Sequence, residues 1–284
     1  MVGHLKGIRE GWRAEHLAKF ILSKFSFIAE PSTISDDLGS DFFCTLFNIE
    51  DKKFLSPKNS LAIQIKKKPK SKPLNQIDLT NKRGYVLGLE IPFFIGVVDI
   101  LNSKLTIYAG EYLGDFTVSG DNSTRKIYAR LVEERSDPLK PYEVVGDKVF
   151  IDFPKVVELG INYNYENNPE EIKDLFDICK LMQENIASKI SNEFIFKRFK
   201  SDFFWVYSGN GSAVCYENNF LMRLVEVFRN LIWLYRDARI ISKDDLIKDF
   251  EIYGKLYESL LKKYNGRLPG LLIKSFNEIK ELVK

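Results

Sequence analysis

Residues 92 to 99 read Pro-Phe-Phe-Ile-Gly-Val-Val-Asp. Phe93, Phe94, Ile95, Val97 and Val98 stand together with no polar residue between them. A strand of that composition has no face to offer to water. It belongs inside a sheet covered on both sides, so the chain needs a layer above the sheet and a layer below it.

The surrounding sequence supplies the material. Residues 5 to 28 carry apolar side chains near helical spacing (Leu5, Ile8, Trp12, Leu17, Phe20, Ile21, Leu22), which predicts a helix ending before Pro31. Asp36 to Ser40 reads as a turn. Phe42 to Asn48 reads as a strand. Ser60 to Lys66 alternates, with Leu61, Ile63 and Ile65 on one face and Ala62, Gln64 and Lys66 on the other. The polar stretch from Asn48 to Asn59 suits a hairpin connection, and Lys67 to Pro73 a basic loop. Further strands are expected at Leu105 to Ala109, Lys126 to Val132 and Lys148 to Phe153.

The character changes at Asn162 to Pro169. Beyond it the pattern is helical: from Pro169 to about Ile190, from Asn218 to Ala238, from Lys243 to Tyr264 with Ser242 as N-cap, and after Pro269. A glycine-rich turn is expected at Ser208 to Ser212. The layout is therefore an α/β domain over 1–160 and an α-helical domain over 161–284.

Composition removes several classes of function. The only histidines are His4 and His16, and the cysteines are Cys44, Cys179 and Cys215, so no zinc ribbon or finger can be assembled at the usual spacings. Three scattered cysteines imply a reducing compartment, and a cytoplasmic location is expected. Nothing reads as a signal peptide or a membrane span. The 42 basic and 39 acidic residues leave a net charge of +3. That excludes a broadly basic, histone-like surface and requires any nucleic-acid contact to be local. The one dense basic run is Lys66, Lys67, Lys68, Lys70 and Lys72, which suits phosphate contacts as well as it suits an ordinary solvated loop.

Four residues form a chemical set. Glu15 lies on the first helix and Asp41 where the turn enters the first strand. Gln64 and Lys66 are two apart on the next strand, hence on one face. If the strands pair as a hairpin, Asp41 approaches Gln64 and Lys66. A hard divalent cation takes carboxylate, amide and carbonyl oxygens, and the Ile65 carbonyl is a natural further ligand. A lysine beside it can orient water or neutralise charge on a phosphate. Taken singly, each residue has an ordinary reading: a solvated helix acid, a turn cap, a polar strand face.

The order Glu15, then Asp37 to Asp41, then Gln64-Ile65-Lys66, then the Pro92 to Asp99 strand resembles the PD-(D/E)XK superfamily of restriction-endonuclease-like nucleases. The glutamine variant is similar to modification-dependent restriction enzymes and related bacterial domains. The resemblance covers roughly residues 5 to 113. It implies a mixed sheet flanked by helices in αβββαβ order, with Asp41 as central metal ligand and Lys66 as catalytic lysine. Gln64 stands in place of the second acid, and Glu15 is the helix-borne acid. It implies a Mg2+- or Mn2+-dependent endonuclease, with DNA as the first substrate to consider and bacterial anti-phage defence as a setting. The departure is the stretch after Lys66, where the family places a helix and this chain has proline, lysine, Gly84 and Gly88. The alternative is a nuclease fold without activity, acting as a nucleic-acid-binding or assembly module. In the nuclease reading the helical half would dimerise, position substrate or contact a partner protein.

Overall fold

The computed structural model describes residues 2–31, 39–50, 54–69, 74–118, 126–134, 142–190, 195–201, 203–207, 213–217, 219–263, 268 and 270–284. Two compact units emerge, one of residues 1–200 with 207–212 and one of residues 201–206 with 213–284.

The first unit is a mixed sheet between helical layers. Helix α1 (Val2–Leu22) is followed by β1 (Ser26–Ala29), β2 (Phe42–Glu50), β3 (Phe54–Lys67) and the short β4 (Gln76–Asp78). A 3-10 turn at Thr80–Lys82 leads into α2 (Arg83–Gly88). Next come β5 (Phe93–Asp99), β6 (Lys104–Ala109), α3 (Leu113–Val118), β7 (Lys126–Val132), β8 (Tyr142–Val145) and β9 (Lys148–Gly160). Helix α4 (Lys173–Ile190) and β10 (Ile195–Lys197) complete it. The strand order is β1-β2-β3-β5-β6-β9-β7-β4, with β8 on β9. Strands β1, β2 and β3 form an antiparallel meander. Strand β5 lies parallel to β3, β6 antiparallel to β5, and β7 parallel to β9.

Residues 93–98 are buried, as expected of a strand with no solvent face. Alternation divides its contacts between two cores. Phe94 and Val98 join Leu61, Ile63, Ile65, Ala14, Ala18 and Ile21 under α1, with Leu175, Ile178 and Met182 from α4. Phe93, Ile95 and Val97 join Ala62, Val86, Leu113 and Phe116 under α2 and α3. Full burial of the five large side chains of β5 contributes on the order of 10 kcal/mol before chain entropy is subtracted.

Three boundaries differ from expectation. Helix α1 stops at Leu22 instead of reaching residue 28, and Ser26–Ala29 forms a strand on β2. The Ser26 hydroxyl donates to the Leu22 carbonyl at 2.9 Å, and Phe25 is buried beneath. Strand β2 runs to Glu50 and β3 starts at Phe54, so most of the expected hairpin connection is strand, with Pro57 opposite Phe47. The compact units part near residue 200, whereas the sequence expectation set the boundary at 160. Leu175, Ile178, Cys179 and Met182 of α4 are part of the sheet's own core, which holds α4 with the first unit.

In the second unit, β11 (Phe203–Tyr207) and β12 (Ala213–Glu217) precede α5 (Asn219–Ile232), α6 (Lys243–Lys263) and α7 (Gly270–Val283). Phe228 meets Tyr253, Tyr257 and Phe276 edge-on, and Tyr257 stacks on Phe276 at 3.8 Å. Helix α6 has the capping residue expected of it. The Ser242 hydroxyl accepts from the Asp245 amide, and the Asp245 carboxylate accepts from the Ser242 amide and hydroxyl. Trp233, in a π-turn after α5, is half exposed. The Ser208 to Ser212 turn lies outside the described residues. Among the described residues, no helix is long and apolar enough to cross a membrane.

Candidate functional site

The site grows out of the end of the β2–β3 ladder. Phe42 pairs with Ile63 as the first residue of β2 in the ladder, and Asp41 stands immediately before it. The Asp41 amide donates to the Ile63 carbonyl at 2.9 Å, which holds Asp41 against the same residue that pairs with Phe42. Its carboxylate then turns back and accepts from the Ile65 amide. The N–H and C=O of one strand residue point to the same edge. The Ile65 carbonyl therefore faces the edge where β2 has ended and the Asp41 side chain begins. Ala62 and Lys68 point the other way, donating to Pro92 and Val98 along β5.

Gln64 is the chemically unusual member. It is 1% exposed, paired along the sheet with Ile95 of β5. Its Oε1 is buried and has no hydrogen-bond partner. An unmet buried acceptor of this kind costs about 1–3 kcal/mol. It is an oxygen lone pair on the same face of β3 as Lys66.

Lys66, two residues on, is half-buried on the same face, opposite Val97 of β5. Burial pulls its ammonium below the usual lysine range, and the neighbouring Lys82 adds to the effect. Asp41 and Glu15 oppose both by stabilising the charged form. These couplings identify the charged surroundings of Lys66: two carboxylates and a second ammonium.

Lys82 and Tyr85, which belong to no motif in the sequence, also approach the site. They come from the 3-10 turn and α2, the crossover between the parallel strands β3 and β5. A Cβ on Gly39 would meet Lys82 Cδ at 3.1 Å and Tyr85 Cδ1 at 3.0 Å. Gly39 has a φ of +108°, which a side chain would also resist. The Tyr85 and Ser40 hydroxyls lie 3.1 Å apart and hydrogen bond. The crossover thus clamps the turn that delivers Asp41. The usable signal was topological: a helix linking parallel strands must start near the end of the first one, beside Lys66.

The lysine run is divided by strand alternation. Lys67 points toward α1 and pairs with Glu10. Lys68 bonds Asp99 at 3.0 Å. Asp99 also caps the turn after β5 by accepting from the Leu101 and Asn102 amides. The hydrogen bonds from Asn102 and Lys68 hold its carboxyl down to about 2. Asp36, Asp37, Lys70 and Lys72 lie outside the described residues.

The structure therefore brings Asp41, Gln64, Ile65 and Lys66 together, with Glu15 in electrostatic reach, and adds Lys82. Among the described residues no group of three or more His, Cys, Asp and Glu side chains is gathered as a metal site. A cation here would rely on Asp41 together with neutral oxygens, the Gln64 Oε1 and the Ile65 carbonyl. All are hard donors of the type that Mg2+ and Mn2+ take. Compared with protein-family models, curated proteins and solved structures, the chain matches none.

Proposed function

We propose that the chain is a metal-dependent nuclease that hydrolyses phosphodiester bonds, with DNA as the first substrate to test. The observation that carries this reading is the buried, unpartnered Gln64 Oε1 on the β3 face of Lys66, next to Ile65, whose amide the Asp41 carboxylate accepts from. A purely structural glutamine at 1% exposure would be expected to have its oxygen satisfied. The element order α1-β1-β2-β3-β4-α2-β5 supports the reading as well, once the short β4, which pairs with β7 at the far edge of the sheet, is set aside. It is the αβββαβ order implied by the resemblance to restriction-endonuclease-like nucleases, with the expected family helix reduced to the short α2.

In this reading Asp41, Gln64 and the Ile65 carbonyl hold Mg2+ or Mn2+, with Glu15 as a further carboxylate. The cation supplies Lewis acidity toward the scissile phosphate. Lys66 stands beside the ligands, where its ammonium orients the attacking water and offsets the charge developing on phosphate oxygens. Lys82 places a second positive charge at the same phosphate. The helical second unit has the role of dimerisation, substrate positioning or partner binding, and a defence setting follows by analogy alone.

A second reading is favoured by one observation: the neutral Gln64 leaves the site without a third clustered acid. It makes the chain a nucleic-acid-binding or assembly module on the same fold. Incubation with plasmid, linear and single-stranded DNA and with RNA, in Mg2+ or Mn2+, separates the two. Cleavage that is lost in Asp41→Ala and Lys66→Ala supports the nuclease. Binding of nucleic acid without cleavage under all these conditions supports the module.

A further inference from the structure

Helix α1 is two-sided in an informative way. Ala14, Ala18, Ile21 and Leu22 are buried against the sheet. Arg9, Trp12, Arg13, His16, Lys19 and Phe20 are exposed. At 100° per residue these six fall within a sector of about 120°. Trp12 is 63% and Phe20 53% exposed, among the largest apolar exposures in the first unit. The sector contains no acid. The helix's own acids lie on its flanks: Glu10 bonds Lys67, and Glu15 is coupled to Lys66. Lys19 is paired with Glu30, and Lys24 sits over the Phe20 ring at 5.0 Å.

We propose that this face of α1 is a binding surface for single-stranded nucleic acid. Basic side chains interleaved with exposed rings are what such a strand requires, phosphates going to the cations and bases to the rings. The rings are eight residues apart, about 12 Å along the helix. That is far more than the ~3.4 Å between stacked bases of a duplex. Each ring therefore serves a separate, splayed base, and a duplex, whose base faces are covered, cannot use them. A second copy of the chain is disfavoured because two basic faces repel. The inference deepens the proposed function by naming its substrate class, and rests on it for the direction of the strand, since α1 also carries Glu15 toward Lys66.

The test is binding of a labelled oligothymidylate and of a matched duplex by the full chain in chelator, with no divalent cation. We expect the single strand to bind at least about tenfold more tightly. Trp12→Ala and Phe20→Ala should each weaken it by about fivefold or more, with the melting temperature unchanged. Arg9→Ala with Arg13→Ala should reduce the salt slope by about 1.4. Wild-type affinity in the folded Trp12→Ala/Phe20→Ala double variant would overturn the proposal. So would a double variant that loses only adsorption to anionic lipid vesicles. Because no cation is present, the outcome is independent of cleavage. Binding at this face without cutting sinks the nuclease reading alone, and cutting by a double variant that binds as wild type sinks this inference alone.

Discussion

Replacing Gln64 by methionine should stabilise the protein and abolish its response to divalent cations. The side chain is 1% exposed and its Oε1 has no partner. Removing an unmet buried acceptor recovers about 1–3 kcal/mol. A volume-conserving swap in a packed core costs less than about 1.5 kcal/mol. The net change spans about −0.5 to +3 kcal/mol and centres on a gain of about 1 kcal/mol, or roughly 2–4 °C in the melting temperature of a unit of this size. The assay is thermal melting in chelator and again across a Mg2+ or Mn2+ titration. Wild type should gain about 2.7 kcal/mol when the cation reaches a hundred times its dissociation constant, and Gln64→Met should gain nothing. A methionine variant that melts below wild type in chelator and still responds to the cation would refute the reasoning, because the amide oxygen would then be a structural group.

Other expectations follow from the same packing. Lys82→Ala removes a cation that depresses Lys66, so the alkaline limb of the pH–rate profile attributable to Lys66 should move to higher pH and the rate should fall by about tenfold. An unmoved limb would place Lys82 outside the site. A Cβ at Gly110 would lie 2.8 Å from the Phe93 carbonyl oxygen and from Leu113 Cδ1, so Gly110→Ala should cost about 1–3 kcal/mol in chemical denaturation. Burial raises the Cys44 and Cys179 thiols from 9.0 to about 12. Between those values the folded state holds protons that the unfolded chain has released, so stability should fall as pH rises from about 9 to 12. Denaturant midpoints at pH 8 and 10 measure this. The same thiols should resist alkylation until the protein unfolds.

Much of the sheet was legible because strand alternation is a local signal. Leu61, Ile63 and Ile65 go to one core and Gln64 and Lys66 to the opposite face, as the pattern predicts. The uninterrupted β5 run and the Ser242 cap were equally plain. What the sequence concealed depends on distant partners. Phe25, Phe27 and Ile28 satisfy a helical pattern as readily as a strand, and only pairing with β2 decides for β1. Lys66 and Lys67 look like one basic cluster, yet the alternation that places Lys66 beside Asp41 turns Lys67 to Glu10. Lys82 reached the site through the crossover, which no spacing in the linear sequence announces.

The central claim is that Asp41, Gln64 and Lys66 form a hydrolytic site. Its most direct test is plasmid cleavage in Mn2+ under enzyme excess, by wild type, Asp41→Ala and Lys66→Ala, each verified as folded by circular dichroism. The account predicts cutting by wild type and a loss of at least about 100-fold in both variants. Cutting at wild-type rates by either folded variant would contradict it.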